Sequence, residues 1–353
     1  MNVLVIELNK YHTEIFPIYE NLLPFLFKPD VLRFHYYCLP GVQKELAEVY
    51  EHVECVISRP GYFLIQNLGL RIPVFRRKIQ KLIHSLDADA VVLNSIEPHR
   101  NQKIFKGLTA ERKIAVIHNP RKFALQKEKN EHYFVLSETV FEAFRERLPL
   151  DGFLLPFFKP YPTRGKVKMS SPVIIGIQGW VNFKRRDYGF LIEVCRKLKE
   201  LKTEGVLINI IGANNHKDGK KLRDLIREHD LESYFRLHES LDDRSFYNEI
   251  EGCDLLMPLL GPDQKRYFSD KTTATLSHAA AYGKPMVISR ENAKAWSLNE
   301  DAHYIYDDIQ SCVDLLKDLK DLSGKTERFI AWRDEKIRKN REKLSRIGIQ
   351  DGK

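Results

Sequence analysis

Short apolar runs rich in β-branched residues alternate with amphipathic stretches along the whole chain. In the first half, six runs have the length and composition of buried strands: Val3 to Leu8, Val31 to Cys38, Val53 to Ile57, Ala90 to Asn94, Lys113 to His118 and Tyr133 to Ser137. Helical patterns separate most of these runs. Because strands that alternate with helices are typical of parallel sheets with crossover helices, the pattern predicts a doubly wound α/β fold.

The alternation is interrupted between Pro156 and Pro172, a stretch rich in proline and basic residues that we interpret as an interdomain linker. A second series follows, with strands predicted over residues 173–177, 206–211, 235–238, 254–260 and 285–289, and helices over about 187–202, 219–230, 243–251, 272–282 and 309–320. We therefore expect two Rossmann-like domains, residues 1–160 and 161–324, whose parallel sheets face a cleft.

The last segment, residues 325–353, begins with a predicted helix from Lys325 to Gly348. Ile330, Ile337 and Leu344 are seven residues apart and share one face of this helix. Such a stripe is typical of a terminal helix that packs on the protein, and we expect this one to pack back toward the first domain.

Composition and charge narrow the class. The 353 residues are 43% hydrophobic with only 18 Gly and 16 Pro, which excludes disordered, collagen-like and coiled-coil classes. The net charge is +9, but residues 71–85 and 324–346 each carry +5, which leaves −1 on the remainder. Two local basic helices on a neutral body indicate docking to an anionic surface such as a membrane, or equally a solvated face over a core stripe.

The amino terminus and the cysteines indicate a cytoplasmic protein. The first residues lack a basic segment and reach Glu7 after five apolar residues, so they are interpreted as a strand and not as a signal peptide. The longest uncharged run, Met169 to Phe183, has 15 residues and is too short and too polar to span a bilayer. The five cysteines show no spacing typical of zinc or redox sites, so we expect reduced core residues.

Three loops that follow predicted strands carry candidate binding chemistry, because ligands of open α/β sheets bind at the carboxyl ends of the strands. The loop GWVNFKRRD places Gly179 at a strand end and the cations Lys184, Arg185 and Arg186 at a helix start, which predicts a phosphate or diphosphate site. In IIGANN, Gly212 and Asn214 could hydrogen-bond a base or ribose, or serve an ordinary turn. Near Ser269, the residues Lys271, Thr272, Thr273 and Thr275 open a predicted helix and fit phosphate oxygens.

These loops resemble the carboxyl-terminal domain of GT-B glycosyltransferases, in particular the nucleotide-sugar-dependent family 4. The resemblance runs through VIIGIQGWVNFKRRDYGFLIEVCRKLK, INIIGANN, LHESLDDRSFYNEIEGCDLLMPL and the helix before GKPMVIS, and it reaches back to HYFVLSETVFEAF and FLLPFFKP. Residues 9–88 match only as a generic α/β pattern. The resemblance implies the GT-B fold, with the donor nucleotide on the second domain and the acceptor on the first.

Residue by residue, the resemblance implies roles for several positions in the second domain. Arg186 matches the diphosphate-binding Lys of the family, and Lys184 and Arg185 stand close enough in sequence to help. Two positions depart from the family. Trp180 stands where many members have Arg, and the signature pair of Glu residues falls on Asp270 and His278. Asp270 could keep contact with the transferred sugar, while His278 offers a different hydrogen-bonding edge or is simply a satisfied histidine on a helix.

In the first domain, His118 ends a predicted strand and resembles the His that the family places near the donor sugar. Glu97, with His99 beside it, follows the strand before and could act as a base or orient an acceptor, or belong to a loop capped by Pro98. The loop after the first strand has no Gly, so we expect its side chains, Lys10, Tyr11 and His12, to contact the acceptor.

Together these features predict a glycosyltransferase that moves a sugar from a nucleotide-sugar donor to a cell-surface glycan precursor: a polysaccharide, lipopolysaccharide or lipid-linked acceptor. No cofactor and no metal are expected, because GT-B enzymes stabilise the leaving diphosphate with cations and helix termini. The Asp270 and His278 departures keep open a non-catalytic GT-B-like partner subunit. Nucleic-acid binding is disfavoured, since aromatic residues are not interleaved with the cations.

Overall fold

The chain divides into two units that each contain a parallel sheet. The structure is a computed structural model, and it describes residues 1–7, 16–27, 31–38, 47, 49–50, 52–55, 72–96, 100–161, 172–261, 263–264, 266–269 and 271–348. The first unit comprises Met1–Pro160, Asp270–Thr272 and Ile337–Lys353, and the second comprises Tyr161–Ser269 and Thr273–Lys336.

In the first unit, the described strands form one parallel sheet in the order β3-β2-β1-β4-β5-β6-β7. The strands are β1 (Asn2–Ile6), β2 (Arg33–Cys38), β3 (Val53–Cys55), β4 (Ala90–Ile96), β5 (Arg112–Ile117), β6 (Glu131–Val135) and β7 (Gly152–Phe153). The helices are α1 (Pro17–Phe27), α2 (Ile72–Ser85), α3 (Arg100–Lys106) and α4 (Glu138–Phe144), with a short 3₁₀ turn at Pro120–Lys122. The strand order reverses between β1 and β4, which makes their carboxyl ends the place where such sheets bind ligands.

The second unit repeats this topology. Its strands are β8 (Val173–Gln178), β9 (Val206–Ile211), β10 (Phe235–Leu237), β11 (Leu255–Leu256), β12 (Val287–Ser289) and β13 (Tyr304–Tyr306). The sheet runs β10-β9-β8-β11, and a bridge from Leu256 to Met286 links it to the parallel pair β12-β13. The order again reverses, here between β8 and β11, so their carboxyl ends form the switch point of this unit.

Helices of the second unit connect these strands. They are α5 (Tyr188–Glu200), α6 (Lys217–Glu228), α7 (Asp243–Gly252), α8 (Arg266–Ser269), α9 (Ala274–Tyr282), α10 (Arg290–Ala295) and α11 (Ile309–Lys317), with a 3₁₀ turn at Glu232–Tyr234. Side-chain caps fix where several begin: Asp187 accepts from Phe190 N at 2.9 Å, and Asp242 accepts from Ser245 N at 2.7 Å. The α/β class and the parallel sheets predicted from the pattern are confirmed.

The last helix, α12 (Leu322–Ile347), supports the predicted packing of the chain's end on the first domain. Leu344 is fully buried in the core of the first unit. Asn340, only 1% exposed, donates from Nδ2 to the carbonyl of Phe153 at 2.9 Å and accepts from the Leu155 N–H at 3.2 Å. The carboxyl-terminal part of α12 is therefore an integral part of the first unit.

Several predicted elements differ from the observed ones for local reasons. The strand predicted over residues 254–260 is only Leu255–Leu256, because Pro258 cannot donate to a ladder and Leu259 has a φ of +50°. The short elements β7, α8, α10 and β13 were not predicted from the sequence. Among the cysteines, Cys38, Cys195, Cys253 and Cys312 are free and buried, as expected for reduced core residues.

Candidate functional site

Two glycine turns lie side by side at the switch point of the second unit. Gly179, directly after β8, has a φ of +91°, and its N–H donates to the carbonyl of Ile211 at 2.6 Å. Gly212, directly after β9, has a φ of +145°, and a Cβ there would lie 2.6 Å from the Gly179 carbonyl oxygen. Both turns therefore favour glycine, because a side chain would be strained at these φ values. At Gly212 it would also collide with the Gly179 backbone, and at Gly179 it would crowd the Arg186 guanidinium, 3.1 Å away.

Arg186 binds back onto the turn that follows β8. Its guanidinium donates to the carbonyl of Gln178 through Nη2 and to the carbonyl of Trp180 through Nη1, the latter at 3.3 Å. Its Nε is buried and has no hydrogen-bond partner among the described residues. Removal from water lowers the pKa of Arg186, yet a guanidinium keeps its charge at physiological pH. A charged donor with an unused N–H is thus held beside Gly179.

The neighbouring cations differ from Arg186 in their exposure. Lys184 and Arg185 are both exposed, and within the described ranges neither side chain forms a hydrogen bond or an ion pair. The backbone of the turn is fixed, since the Lys184 N–H donates to Asn182 Oδ1 at 2.9 Å and Gln264 donates to the Lys184 carbonyl at 2.6 Å. The structure therefore brings all three predicted cations together on one ordered turn.

The amino terminus of α5 differs from the expectation that its free N–H groups bind a phosphate. Asp187 caps this helix with its carboxylate, which accepts from the Phe190 N–H at 2.9 Å. A negative side chain therefore already occupies the favourable end of the helix dipole. An anion at this turn would depend on the three basic side chains and on loop N–H groups.

A buried pair of neutral side chains lies below this turn. Gln178 ends β8 and donates from Nε2 to His278 Nδ1 at 2.7 Å, and both side chains are nearly inaccessible. With Nδ1 accepting, the ring proton resides on Nε2. Among the described residues, His278 Nε2 and Gln178 Oε1 have no hydrogen-bond partner. The pair thus presents one unused donor and one unused acceptor, each of which costs about 1–3 kcal/mol while unpartnered.

Burial has a consequence for the charge of His278. Desolvation lowers its pKa from 6.5 to about 4, and the rings of Tyr247 and Phe246 lie against it with centroids at 5.3 and 6.3 Å. The imidazole is therefore neutral at neutral pH. A neutral hydrogen-bonding edge stands here in place of the carboxylate that the family resemblance implies.

Acid should destabilise the protein through His278. In the unfolded chain this histidine binds a proton below about pH 6.5, whereas in the folded chain it does so only below a pKa of about 4. Stability is thus complete above pH 6.5 and falls as the pH decreases from 6.5 to 4, by about 2–3 kcal/mol at pH 4.5. Urea unfolding at pH 7 and pH 4.5 measures this loss.

In the variant His278→Gln, the loss of stability between pH 7 and pH 4.5 should be smaller by most of the about 2–3 kcal/mol assigned to His278. The remaining loss is expected from His303, whose pKa burial lowers to about 3. The same substitution at the exposed His84 is the matched control. If His278→Gln and His84→Gln change the pH dependence equally, the buried neutral state of His278 is wrong.

Helix α9, which follows the threonine turn, begins two residues later than predicted. Thr273 is the N-cap, with its hydroxyl accepting from the Thr275 N–H at 3.3 Å, so the helix begins at Ala274. Thr272 lies outside the helix, and its hydroxyl is buried without a partner among the described residues. Lys271 is partly exposed. Thr272 thus retains an unused hydroxyl, while Thr273 serves the helix.

Asn214 has a structural role. Its Nδ2 donates to the His238 carbonyl at 2.5 Å, and its Oδ1 accepts from Arg223 Nη1 at 2.6 Å. The side chain is 1% exposed. It therefore holds the loop after β9 in place, which differs from the predicted contact with a base or ribose.

In the first unit, a polar cluster lies at the switch point between β1 and β4. Glu7, Asn94 and Tyr19 are completely buried. The Asn94 amide donates to the Glu7 carboxylate, and the Tyr19 hydroxyl donates to Asn94 Oδ1. His118, just after β5, donates from Nε2 to the Asn94 carbonyl at 3.0 Å. The predicted His118 thus lies at the carboxyl edge of the sheet, next to a cluster that the sequence analysis did not identify.

Two predicted catalytic residues, Glu97 and Asp270, lie outside the described residues, as do His99, Lys10, Tyr11 and His12. Their roles stay predictions. In the part of the chain that the structure describes, no three His, Cys, Asp or Glu side chains are grouped so that they could hold a metal ion. None of the helices described there is long and apolar enough to cross a membrane.

No protein-family model and no curated protein matches the sequence. The structure is similar to that of HepE from Anabaena in complex with UDP, with 13% identity, a TM-score of 0.63, and coverage of 98% of this chain and 99% of HepE. A glycosyltransferase from Rickettsia africae matches with 14% identity, a TM-score of 0.61 and coverage of 98% of both chains.

Sucrose-phosphate synthase from Thermosynechococcus elongatus matches with 12% identity, a TM-score of 0.55, and coverage of 98% of this chain and 94% of the synthase. These similarities extend over nearly the whole sequence. The chain has the GT-B fold. The resemblance drawn from the motif residues is thereby confirmed at the level of the fold. Within this GT-B fold, the glycine turns and the cations of residues 184–186 lie at the switch point of the second Rossmann-like unit.

Proposed function

We propose that the protein is a glycosyltransferase that uses a nucleotide-sugar donor and binds the donor's diphosphate at the turn after β8. The observation that carries the proposal is the arrangement at this turn. Gly179 has no side chain, so a ligand can approach the backbone closely. Arg186 is held beside Gly179, and its Nε–H has no hydrogen-bond partner among the described residues. Lys184 and Arg185 extend into solvent. Similarity to HepE in complex with UDP supports a nucleoside diphosphate as the ligand.

The chemistry that the turn would supply is stabilisation of a leaving group. When the bond between the sugar and the diphosphate breaks, negative charge grows on the diphosphate, and cations fixed in advance stabilise that charge. Arg186 is fixed by its two bonds to backbone carbonyls, so little reorganisation is needed during the reaction. We propose that these side chains, and not a metal ion, stabilise the leaving diphosphate.

The Gln178 and His278 pair supports a donor site with a neutral edge. One unused donor and one unused acceptor on bonded neighbours can both be satisfied by a single hydroxyl group, which donates to Gln178 Oε1 and accepts from His278 Nε2. We propose that a hydroxyl of the donor takes this position. Asp270 keeps its proposed contact with the transferred sugar, while His118 and Glu97 are proposed to serve the reaction from the first unit.

Turnover of a panel of nucleotide sugars tests the function. One donor should release its nucleoside diphosphate, slowly with water and faster with a suitable glycan or lipid-linked acceptor. Removal of divalent ions with EDTA should leave that rate unchanged if the cations of residues 184–186 stabilise the leaving group. The substitution of the family's Glu pair by Asp270 and His278 favours the alternative of a non-catalytic partner subunit, which would bind no donor and release nothing.

We further propose that the acceptor is a cell-surface glycan precursor at the inner face of the cytoplasmic membrane, and that α2 docks the protein there. Arg77, Lys78 and Lys81 are exposed on α2, and within the described ranges they form no hydrogen bond or ion pair. Ile79 and Ile83 are buried on the opposite side. Each cation near an anionic surface contributes about 1 kcal/mol.

The second basic segment, residues 324–346, supports docking less well. Many of its cations already have partners: Arg328 pairs with Asp321, Arg338 pairs with Glu342, and Lys343 pairs with Glu138 at 2.6 Å. Lys325 donates to the carbonyl of His303 at 3.1 Å. We therefore assign the proposed membrane contact to residues 71–85 before residues 324–346, with Arg71 lying outside the described residues.

Charge reversal distinguishes the contribution of residues 71–85 to membrane binding from that of residues 324–346. The protein should sediment with phosphatidylglycerol vesicles at low salt and be released by moderate salt, because screening weakens surface attraction. The triple variant with Arg77, Lys78 and Lys81 changed to Glu should lose sedimentation. Equal reversal of Arg338, Lys339 and Arg346 is the matched control and should lose much less. Sedimentation that survives the first triple change would eliminate α2 as the docking element.

A further inference from the structure

Strand β4 contains an irregularity where it meets β5. Leu93 pairs with Ala115 and Ile96 pairs with Ile117, so Asn94 and Ser95 together stand opposite the single residue Val116. This is the geometry of a β-bulge, which re-aims side chains and commonly lies beside active sites. Here it lies at the switch point of the first sheet, on the strand next to β1.

Two buried polar groups, one from Glu7 and one from Tyr19, hold the Asn94 side chain in one orientation. Its amide nitrogen donates to the Glu7 carboxylate, and its oxygen accepts from the Tyr19 hydroxyl. Burial, and then the charge of Glu7, raise the pKa of Tyr19 well above its ordinary value, so its hydroxyl stays protonated and donates to Asn94 Oδ1. Since a carboxylate can only accept, a flipped Asn94 amide would lose its bond to Glu7.

His118 is attached to the same bulge. Its Nε2 donates to the Asn94 backbone carbonyl at 3.0 Å. A neutral imidazole that donates from Nε2 carries its lone pair on Nδ1, so this bond sets both the tautomer and the direction of the ring. Two hydrogen bonds thus connect Glu7 to Asn94 and Asn94 to His118, although Glu7 and Asn94 are 87 residues apart in the chain.

We infer that Glu7 is a positioning residue for His118. Acting through the Asn94 side chain, it fixes the bulge whose carbonyl holds the imidazole of His118 as the Nε2–H tautomer and sets the direction of the ring. The role of His118 in this inference rests on the proposed function. The two hydrogen bonds that connect Glu7, Asn94 and His118 do not depend on the proposed function, and their effect on His118 can be measured without substrate.

The ¹⁵N spectrum of the imidazoles tests the positioning. In the full-length protein near neutral pH, His118 should show the Nε2–H tautomer. In Glu7→Ala, which removes the acceptor, and in Tyr19→Phe, which removes only a hydroxyl, His118 should shift toward a mixture of tautomers. Glu7→Gln keeps an acceptor oxygen for the Asn94 amide and should restore most of the original signal. His303, whose Nδ1 accepts from the Met286 N–H at 3.2 Å, is an unchanged reference in the same spectrum.

Tyr36→Phe is the matched control for loss of a buried hydroxyl. Tyr36 is 1% exposed in the same unit, but its hydroxyl donates to Glu20 at 2.8 Å and not to the bulge. Its removal should leave His118 unchanged. If Tyr36→Phe shifts His118 as much as Tyr19→Phe does, or if His118 is unchanged in both Tyr19→Phe and Glu7→Ala, the inference is wrong.

Kinetics supply the second readout once a donor is known. Misplacement of the imidazole should lower kcat by about 10- to 100-fold in Glu7→Ala with little change in KM for the donor. If Glu7→Ala instead raised the KM for the donor as strongly as it lowered kcat, Glu7 would have a general structural role. A shifted tautomer in a protein that transfers no sugar would support the positioning and contradict only the proposed function.

Discussion

Replacement of Arg186 with alanine should weaken the binding of a nucleoside diphosphate by about 10- to 100-fold. The estimate follows from the loss of a charge-assisted hydrogen bond worth about 1.5–3 kcal/mol. Arg186 also donates to the carbonyls of Gln178 and Trp180, so the turn after β8 loses two of its bonds as well. Isothermal titration of the purified variant with the nucleoside diphosphate measures the effect.

Two further variants distinguish the effect of losing positive charge from the effect of losing the hydrogen bonds that hold the turn after β8. Arg196→Ala removes the same charge from α5, the helix that follows this turn, where Arg196 pairs with Glu193 at 2.8 Å, and this variant should bind as the unaltered protein does. The double variant Lys184→Ala and Arg185→Ala removes exposed cations and should weaken binding without loss of stability. If Arg196→Ala and Arg186→Ala weaken binding equally, the diphosphate site has been placed wrongly.

The second large effect is expected at Asn340, on the last helix. Substitution by leucine leaves the Phe153 carbonyl and the Leu155 N–H without the partners that they have in the buried interior of the first unit. Each unsatisfied group costs about 1–3 kcal/mol, so the free energy of unfolding should fall by about 2–5 kcal/mol. Urea unfolding monitored by circular dichroism gives this value.

Lys343→Ala is the control on the same helix. Its ammonium pairs with Glu138 at 2.6 Å, but both side chains are well exposed, so removing it should cost at most about 1 kcal/mol. Comparable losses from the two variants would contradict the view that buried hydrogen bonds, and not surface charges, attach α12 to the first unit.

Much of the fold follows from periodicity. The alternation of apolar runs with amphipathic stretches predicted parallel α/β sheets. Strands β4 and β5 are buried along their length, and their runs Ala90 to Leu93 and Ile114 to Ile117 are apolar for that reason. The boundaries of β11 could not be predicted in the same way. Apolar residues continue to Leu260, and only the missing N–H of Pro258 and the positive φ of Leu259 end the strand.

The candidate site was partly visible in the sequence. The cluster of Lys184, Arg185 and Arg186 is local, so composition and spacing reveal it. The pairs Gln178 with His278 and Glu7 with Asn94 are 100 and 87 residues apart, and only the tertiary fold brings them together. Residue Glu7 looked like the end of an apolar run. Its partner, Asn94, could be recognised only from the structure, in which β4 pairs with β1.

Titration of the protein with a panel of nucleoside diphosphates tests whether the turn after β8 is a diphosphate site. We predict that at least one member of the panel binds with one-to-one stoichiometry, and that the variant with Lys184, Arg185 and Arg186 all changed to Ala loses this binding while staying folded. Failure of every nucleoside diphosphate to bind the unaltered protein, or equal binding by the triple variant, would contradict this prediction.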